Sequence, residues 1–425
     1  MDRRSFIRSA LTSALVTVMV PESLSARLIG EKNLEPKLGK HKVSGKKYCR
    51  AITMWDFSWL ERRWPGAGFE NWNEVLDGLV ERGYNAVRID AYPHLISASP
   101  TKEWTLNEVW TQQDWGSPDK NKIQVQPNLS KFISLCKKRD IKVGLSSWYR
   151  QDTEGEYMRI ISPEKMAKIW IDTLKSIQRD NLLDNILYVD LCNEWPGDLW
   201  APFFKKLHPE VIWGQWYKPA SLEWMRTALR ILKSEFPEIP FLFSFDCQDV
   251  RKYNEVDTSF LDMYEHHLWM VHQNNSEYYK LVGYKDGRFS PKAYKAVVDN
   301  AEKVYRERPE YWQKLLVDKI NLLGDCARKN KMPLATTECW GIVDYKDWPL
   351  LNWDWVMELC ELGTKAALHT GMWVAIATSN FCAPQFVGMW RDVNWHRRLT
   401  DAITSTPISE LFYENPIAKK VINRL

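Results

Sequence analysis

The stretch from Trp72 to Asp90 holds one complete structural repeat, and it restricts the fold more than any other feature of the chain. Trp72, Val75, Leu76, Leu79 and Val80 recur at the spacing of one face of a helix. Gly83 supplies the C-terminal stop. Asn85–Asp90 then follows at once as a short run read as a strand. A one-faced helix feeding directly into a strand is a βα unit, and a chain built of such units folds as a parallel sheet with helices over it.

The same rhythm runs through most of the sequence. Strands are expected at Ala51–Phe57, Ile141–Ser147, Ile186–Val189, Phe241–Asp246, within Phe260–His267, at Pro333–Glu338 and at Gly371–Ala377. Between them lie helical faces: Asn128 to Arg139; Met166, Ile169, Trp170, Leu174 and Ile177; Leu222, Met225, Leu229 and Leu232; Tyr311 to Lys329; and Trp355, Val356, Leu359 and Cys360. A run buried on both faces is nearly continuous in apolar residues, as Ile186–Val189 is. Eight such strands predict a (β/α)8 barrel, which needs about 250 residues and leaves room for long loop insertions at its C-terminal face. The insertions fall at Tyr92 to Pro127, rich in Trp, and at the polar segment Gln273 to Pro309.

Residues 48–425 therefore read as one domain, preceded by a basic linker at 27–47. Residues 1–26 read as a signal peptide: Arg3-Arg4, Phe6-Ile7, Arg8 and the apolar stretch Ala10 to Val20 resemble a twin-arginine export signal. That stretch is far short of the roughly 20 residues a membrane span needs, so export without a stable membrane anchor is expected. With 58 basic and 54 acidic residues, the chain lacks the charge of a nucleic-acid binder. Its 8 cysteines show no Cys-x-x-Cys spacing and read as core thiols. Nothing in the sequence fixes an oligomeric state.

Two strands end in chemistry. Ile186-Leu-Tyr-Val-Asp-Leu-Cys-Asn-Glu-Trp195 closes on Asn193-Glu194 before Pro196-Gly197, and Pro333-Leu-Ala-Thr-Thr-Glu-Cys-Trp-Gly341 closes on Glu338. Strand C-termini of one parallel barrel share a mouth, so both carboxyls converge there. An apolar strand, an acid, a gap and Asn-Glu, with a second glutamate ending strand seven, resembles the retaining (β/α)8-barrel glycoside hydrolases of the cellulase and mannanase group. The clan follows Asn-Glu with proline; here Trp195 intervenes and Pro196 comes one place later.

The resemblance implies a retaining hydrolase of β-glycosidic bonds in an oligo- or polysaccharide, with Glu338 as nucleophile and Glu194 as acid/base. It places Arg88, near the end of strand two, against the nucleophile, with Asp90 as a competing partner for the guanidinium. Asn193 would bond the sugar's 2-hydroxyl. His267-Leu-Trp269 stands where the clan has His-x-Tyr, so Trp269 cannot supply the phenol, and Tyr264 is a candidate replacement. The clan's strand-eight Trp has no direct match, because Trp373 falls too early; Asn380, Phe381 or Trp340 could serve. Trp148, after strand three, is a further sugar-binding candidate. Tryptophan numbers 23, and Trp64, Trp104, Trp110, Trp115, Trp195, Trp200 and Trp216 sit in loop-like segments where rings could stack on sugars.

For such a pair Glu194 is expected protonated at rest and Glu338 ionised. The double displacement calls for no cofactor. No metal site is expected either, since His266 and His267 are adjacent on a strand and face opposite ways. Two readings stay open beside hydrolysis: a transglycosylase using the same residues, and a non-catalytic sugar-binding barrel.

Overall fold

Eight short strands form the wall of the barrel: β1 Arg50–Asp56, β2 Ala86–Asp90, β3 Lys142–Ser146, β4 Ile186–Asp190, β5 in two halves Phe241–Leu242 and Ser244–Phe245, β6 Tyr264–His266, β7 Leu334–Thr336 and β8 Trp373–Ile376. The computed structural model describes residues 45–109, 115–246, 249–284, 290–345 and 351–425. Every pairing in this sheet is parallel, and β1 bonds to both β2 and β8. The first half of β5 pairs with β4 and the second with β6. The two edges of the sheet are thus halves of one segment, and the sheet closes on itself as a (β/α)8 barrel. The sequence reading had β5 as one unbroken strand. The break at Phe243 lets that strand turn from one neighbour to the other.

The helices form where the periodicity placed them. Asn71 caps Trp72–Glu81 by accepting from the Asn73 N–H, and Ser162 caps Pro163–Arg179 by accepting from the Lys165 N–H. Of the apolar face expected on the first of these, Trp72, Val75, Leu76 and Leu79 are buried, whereas Val80 is exposed at the edge of the stripe. Pro163–Arg179 packs against Pro219–Glu235, and Pro309–Asn330 against Asp354–Thr370. Inside the barrel Tyr188 of β4 lies over Gly144 of β3, where an added Cβ would meet its ring at 2.7 Å. A side chain at 144 would push the tyrosine out.

Both insertions carry structure of their own. The first holds helix Pro93–Ala98 and an antiparallel hairpin of Glu103–Leu106 with Asn121–Gln124. The second, read as polar from sequence, contains helix Gln273–Val282, broken near its start by the non-helical residues Asn274–Ser276, and helix Pro291–Glu307. Among the described residues no helix is long and apolar enough to cross a membrane. The seven described cysteines are free and buried, and Cys247 lies outside the described residues, as do 1–44 with the signal peptide and most of the linker. Lys46 and Lys47, at the end of that stretch, already bond to the barrel: Lys46 pairs with Glu410, and Lys47 Nζ donates to the Leu425 carbonyl at 2.9 Å. The Arg424 guanidinium bonds the carbonyl of Leu183, just before β4. The two ends of the described fold are therefore tied together at the N-terminal face of the barrel.

Candidate active site

Beyond β4 the chain keeps bonding to its neighbours on both sides. The Asn193 N–H donates to the Ser147 carbonyl and the Trp195 N–H to the Ser244 carbonyl, each at 2.9 Å. Trp195 is fully buried against Phe204, Trp224 and Phe243. Held between these anchors, Glu194 takes a left-handed backbone, φ 47°. A non-glycine residue accepts that conformation at a cost of about 1 kcal/mol or more, of the kind met at functional sites. Across the mouth, the Leu268 N–H donates to the Glu338 carbonyl at 3.0 Å, and Leu268–Trp269 pairs with Cys339–Trp340. This short extension fixes Glu338 and Trp269 together.

Arg88 ties the two ends. It is wholly buried, and its Nη1 donates to Glu338 Oε1 at 3.1 Å and to Thr337 Oγ1 at 3.1 Å. Its Nη2 donates to Asp190 Oδ2 at 2.6 Å and to Asn193 Oδ1 at 2.7 Å. Binding the Asn193 oxygen turns that residue's NH2 toward the cleft. Ser146 and Ser244 donate to Asp190 as well, and the Trp148 ring lies 4.6 Å from the guanidinium. Asp90 is not the partner of Arg88, because its carboxylate accepts instead from the backbone N–H groups of Tyr92 and Trp148.

His267 is the second hub. Its Nδ1 lies 3.0 Å from Glu194 Oε1 and 3.7 Å from Glu338 Oε2, and its Nε2 lies 2.9 Å from Glu265 Oε2. Glu265 is held from its other oxygen by the N–H and hydroxyl of Thr337. Burial alone would lower the His267 imidazole. The carboxylates of Glu265 and Glu338 and the bonds to Glu194 and Glu265 outweigh it, so the ring sits well above its usual range and stays an imidazolium. Glu265 falls to about 2: burial opposes this, but His267 and Arg88 together prevail.

One oxygen of Glu194, one of Glu338 and a nitrogen of His267 all lie within 4.8 Å of one another. Such a trio could hold a metal ion by geometry. An imidazolium offers no lone pair, however, so metal binding there would first have to strip its proton. Burial raises the Glu338 carboxyl to about 7, with the Glu194 carboxylate adding to the rise and His267 and Arg88 opposing it. The expectation that Arg88 holds Glu338 low is therefore not met, because desolvation exceeds the pull of either cation.

The pair opens into a cavity of about 1130 Å³. Asn193, Glu194, Glu338, Trp148, Trp269 and Asn380 line it, while Arg88 and His267 lie beneath its floor. Trp340 does not reach it: its indole N–H donates to the Ala377 carbonyl and its ring covers Gly363. Phe381 is likewise packed away, against Trp115 and Phe386. Tyr264 stacks on Tyr253 and bonds Thr258, far from Glu338, so the contact a phenol would make falls to His267 and Arg88.

Of the loop tryptophans, Trp115 and Trp200 line the cavity, Trp195 and Trp216 are core, Trp104 is buried in the hairpin and Trp64 lies on the surface. Trp110 is outside the described residues. The sequence reading missed Trp213, Asp56 and the turn Asn274–Ser276 among the lining residues. Three successive left-handed residues at 274–276, φ 50° to 56°, are the backbone signature of that wall.

The fold and site together define a parallel (β/α)8 barrel with a carboxyl pair beyond the ends of β4 and β7, bridged by His267 and braced from β2 by Arg88. The chain belongs to the cellulase-like family, described as sugar-binding cellulase-like, whose profile matches residues 52–404. It is similar to a crystal structure from Parabacteroides distasonis, a protein provisionally assigned to the glycoside hydrolases. The two share 65% identity over 89% of this chain and 100% of that one, with a TM-score of 0.88. A family 5 mannosidase from Rhizomucor miehei is more distant, at 9% identity over 84% of this chain and 95% of that one, TM-score 0.46. None of the curated proteins compared matches the chain.

Proposed function

We propose that the protein is a retaining glycoside hydrolase of β-linked oligo- or polysaccharides, with Glu338 as nucleophile and Glu194 as acid/base. The observation that carries this reading is that one carboxyl oxygen of Glu194 and one of Glu338 lie within 4.8 Å of each other at one cleft, an approach that favours the shorter of the two known carboxyl spacings. Retaining pairs stand about 5–5.5 Å apart, and inverting pairs about 6.5–9.5 Å to admit a water between them. Glu194 and Glu338 share a buried site whose fixed cations are Arg88 and His267, already matched by Asp190 and Glu265.

With substrate bound, the proton rides on Glu194 and passes to the leaving oxygen, while Glu338 attacks the anomeric carbon to form a glycosyl ester. Arg88 orients Glu338 throughout, and His267 steadies each negative charge as it forms. Glu194 then takes a proton from water, whose oxygen displaces Glu338. The Asn193 NH2 is placed to meet the 2-hydroxyl.

The test is stereochemical. Proton NMR of the first minutes of hydrolysis should show the β-anomer, and Glu194→Ala with azide should accumulate a β-glycosyl azide. An α-anomer as first product, or wild-type rates in both Glu194→Ala and Glu338→Ala, refutes the assignment. Export is proposed on the Arg3-Arg4 pattern; replacing both arginines by lysine should retain the protein in the cytoplasm, and unchanged export would refute it.

A further inference from the structure

Asp56 ends β1 in an unusual way. The register between β1 and β2 slips between Met54 and Asp56, and Asp56 takes a left-handed backbone, φ 38°. A bulge of this kind re-aims a side chain at a sheet's rim. The result is a carboxylate only 2% exposed that lines the cavity. Its Oδ1 accepts from the Ser58 N–H, while its Oδ2 has no hydrogen-bond partner among the described residues. A buried acceptor left unmade costs about 1–3 kcal/mol, more when charged, so the arrangement is kept for something that arrives later.

Asn380 repeats the pattern on the neighbouring strand end. It is buried, lines the same cavity after β8, and its Oδ1 has no partner among the described residues. β8 pairs with β1, so the two orphaned acceptors share one quadrant of the mouth. That quadrant lies across the barrel from β4 and Glu194. The acid must stand beside the leaving oxygen, so the leaving group lies on the β4 side and the sugar that keeps the anomeric carbon lies toward β8 and β1.

We propose that Asp56 is a substrate-binding residue that accepts a hydrogen bond from a hydroxyl of the sugar on the non-leaving side of the scissile bond, with Asn380 as a second acceptor beside it. This rests on the glycosidase reading and narrows it. Two acceptors facing one sugar select a neutral unit with free hydroxyls there, and they reject a uronate, whose carboxylate would meet that of Asp56. Burial pushes the Asp56 carboxyl well above the usual carboxylate range, with Glu61 and Glu338 adding to the rise against the Ser58 bonds. An added anion would aggravate that crowding.

The experiment is a cycle between protein and substrate. Wild type and Asp56→Asn are assayed on the 4-nitrophenyl β-D-glucoside, mannoside, galactoside, xyloside and glucuronide, then on the 3-, 4- and 6-deoxy forms of the best of these. One deoxy substrate should lose about 10- to 100-fold in kcat/KM with wild type, the cost of leaving a buried acceptor without its partner. Asp56→Asn should lose a similar factor on the full substrate, yet lose less than about threefold more when that same hydroxyl is missing. A merely structural Asp56 would give losses that multiply. Multiplying losses, wild-type rates in Asp56→Asn, or a glucuronide as best substrate overturn the role of Asp56 alone. If no glycoside is cleaved, and Glu338→Gln binds none of the parent sugars by NMR, the glycosidase reading falls and this one with it.

Discussion

Replacing Glu338 should make the protein more stable in alkali. Burial lifts the Glu338 carboxyl from its ordinary 4.5 to about 7. At ~1.36 kcal/mol per pH unit, holding that group ionised costs the fold about 3 kcal/mol. A carboxyl raised on folding contributes stability below its unfolded value, and that contribution is lost as pH rises through the folded one. Glu338→Gln keeps the size and an oxygen for Arg88 but removes the charge. Urea unfolding followed by tryptophan fluorescence should give coincident stabilities below about pH 4.5, a variant ahead by just under about 1 kcal/mol at pH 5, and ahead by about 3 kcal/mol at pH 8.5. Curves that stay parallel from pH 5 to 8.5, or a variant weaker than wild type at pH 8.5, would refute the claim that desolvation outweighs Arg88 and His267 at this carboxyl.

Asp190→Asn strips the nearest anion from a fully buried guanidinium, and should cost about 3–5 kcal/mol in urea unfolding; a loss under about 1 kcal/mol would mean that Glu265 and Glu338 suffice. Glu265→Gln removes the carboxylate that holds His267 as an imidazolium. The ring should then lose its proton within the working range, seen in the nitrogen-15 shifts of the imidazole, and kcat/KM should fall about tenfold more at pH 8 than at pH 5. Equal losses at the two pH values would show that Glu265 only fills space.

The parallel barrel was legible because its signals are local: an apolar stripe, a stop and a short strand recur within a few residues of one another. Glu194 and Glu338 could be found for the same reason, each closing a short apolar run. Which charges meet is not local. Arg88 was recognisable as a guanidinium in a strand that would meet Glu338, as it does, but Asp90, two residues away, is engaged by backbone N–H groups, and the further partner Asp190 comes from β4, two strands along the barrel wall. Loop polarity was a poor guide to the cleft, since Trp195 and Trp216 turn inward to anchor their loops while Trp213 faces the cavity. The helices of the second insertion were hidden because tyrosines form part of their buried faces. Tyr278, Tyr279, Tyr294 and Tyr305 are buried yet weigh as half-polar in a periodicity count.

The junction of Lys47 with Leu425 has a practical consequence. Because both ends of the described fold meet at the face opposite the cleft, a tether entering at the amino end leaves the mouth unobstructed toward a bulky polymer. The same proximity permits circular permutation: a short peptide could join the two ends, and new ends could be cut at the outer hairpin, with the ring of strands intact.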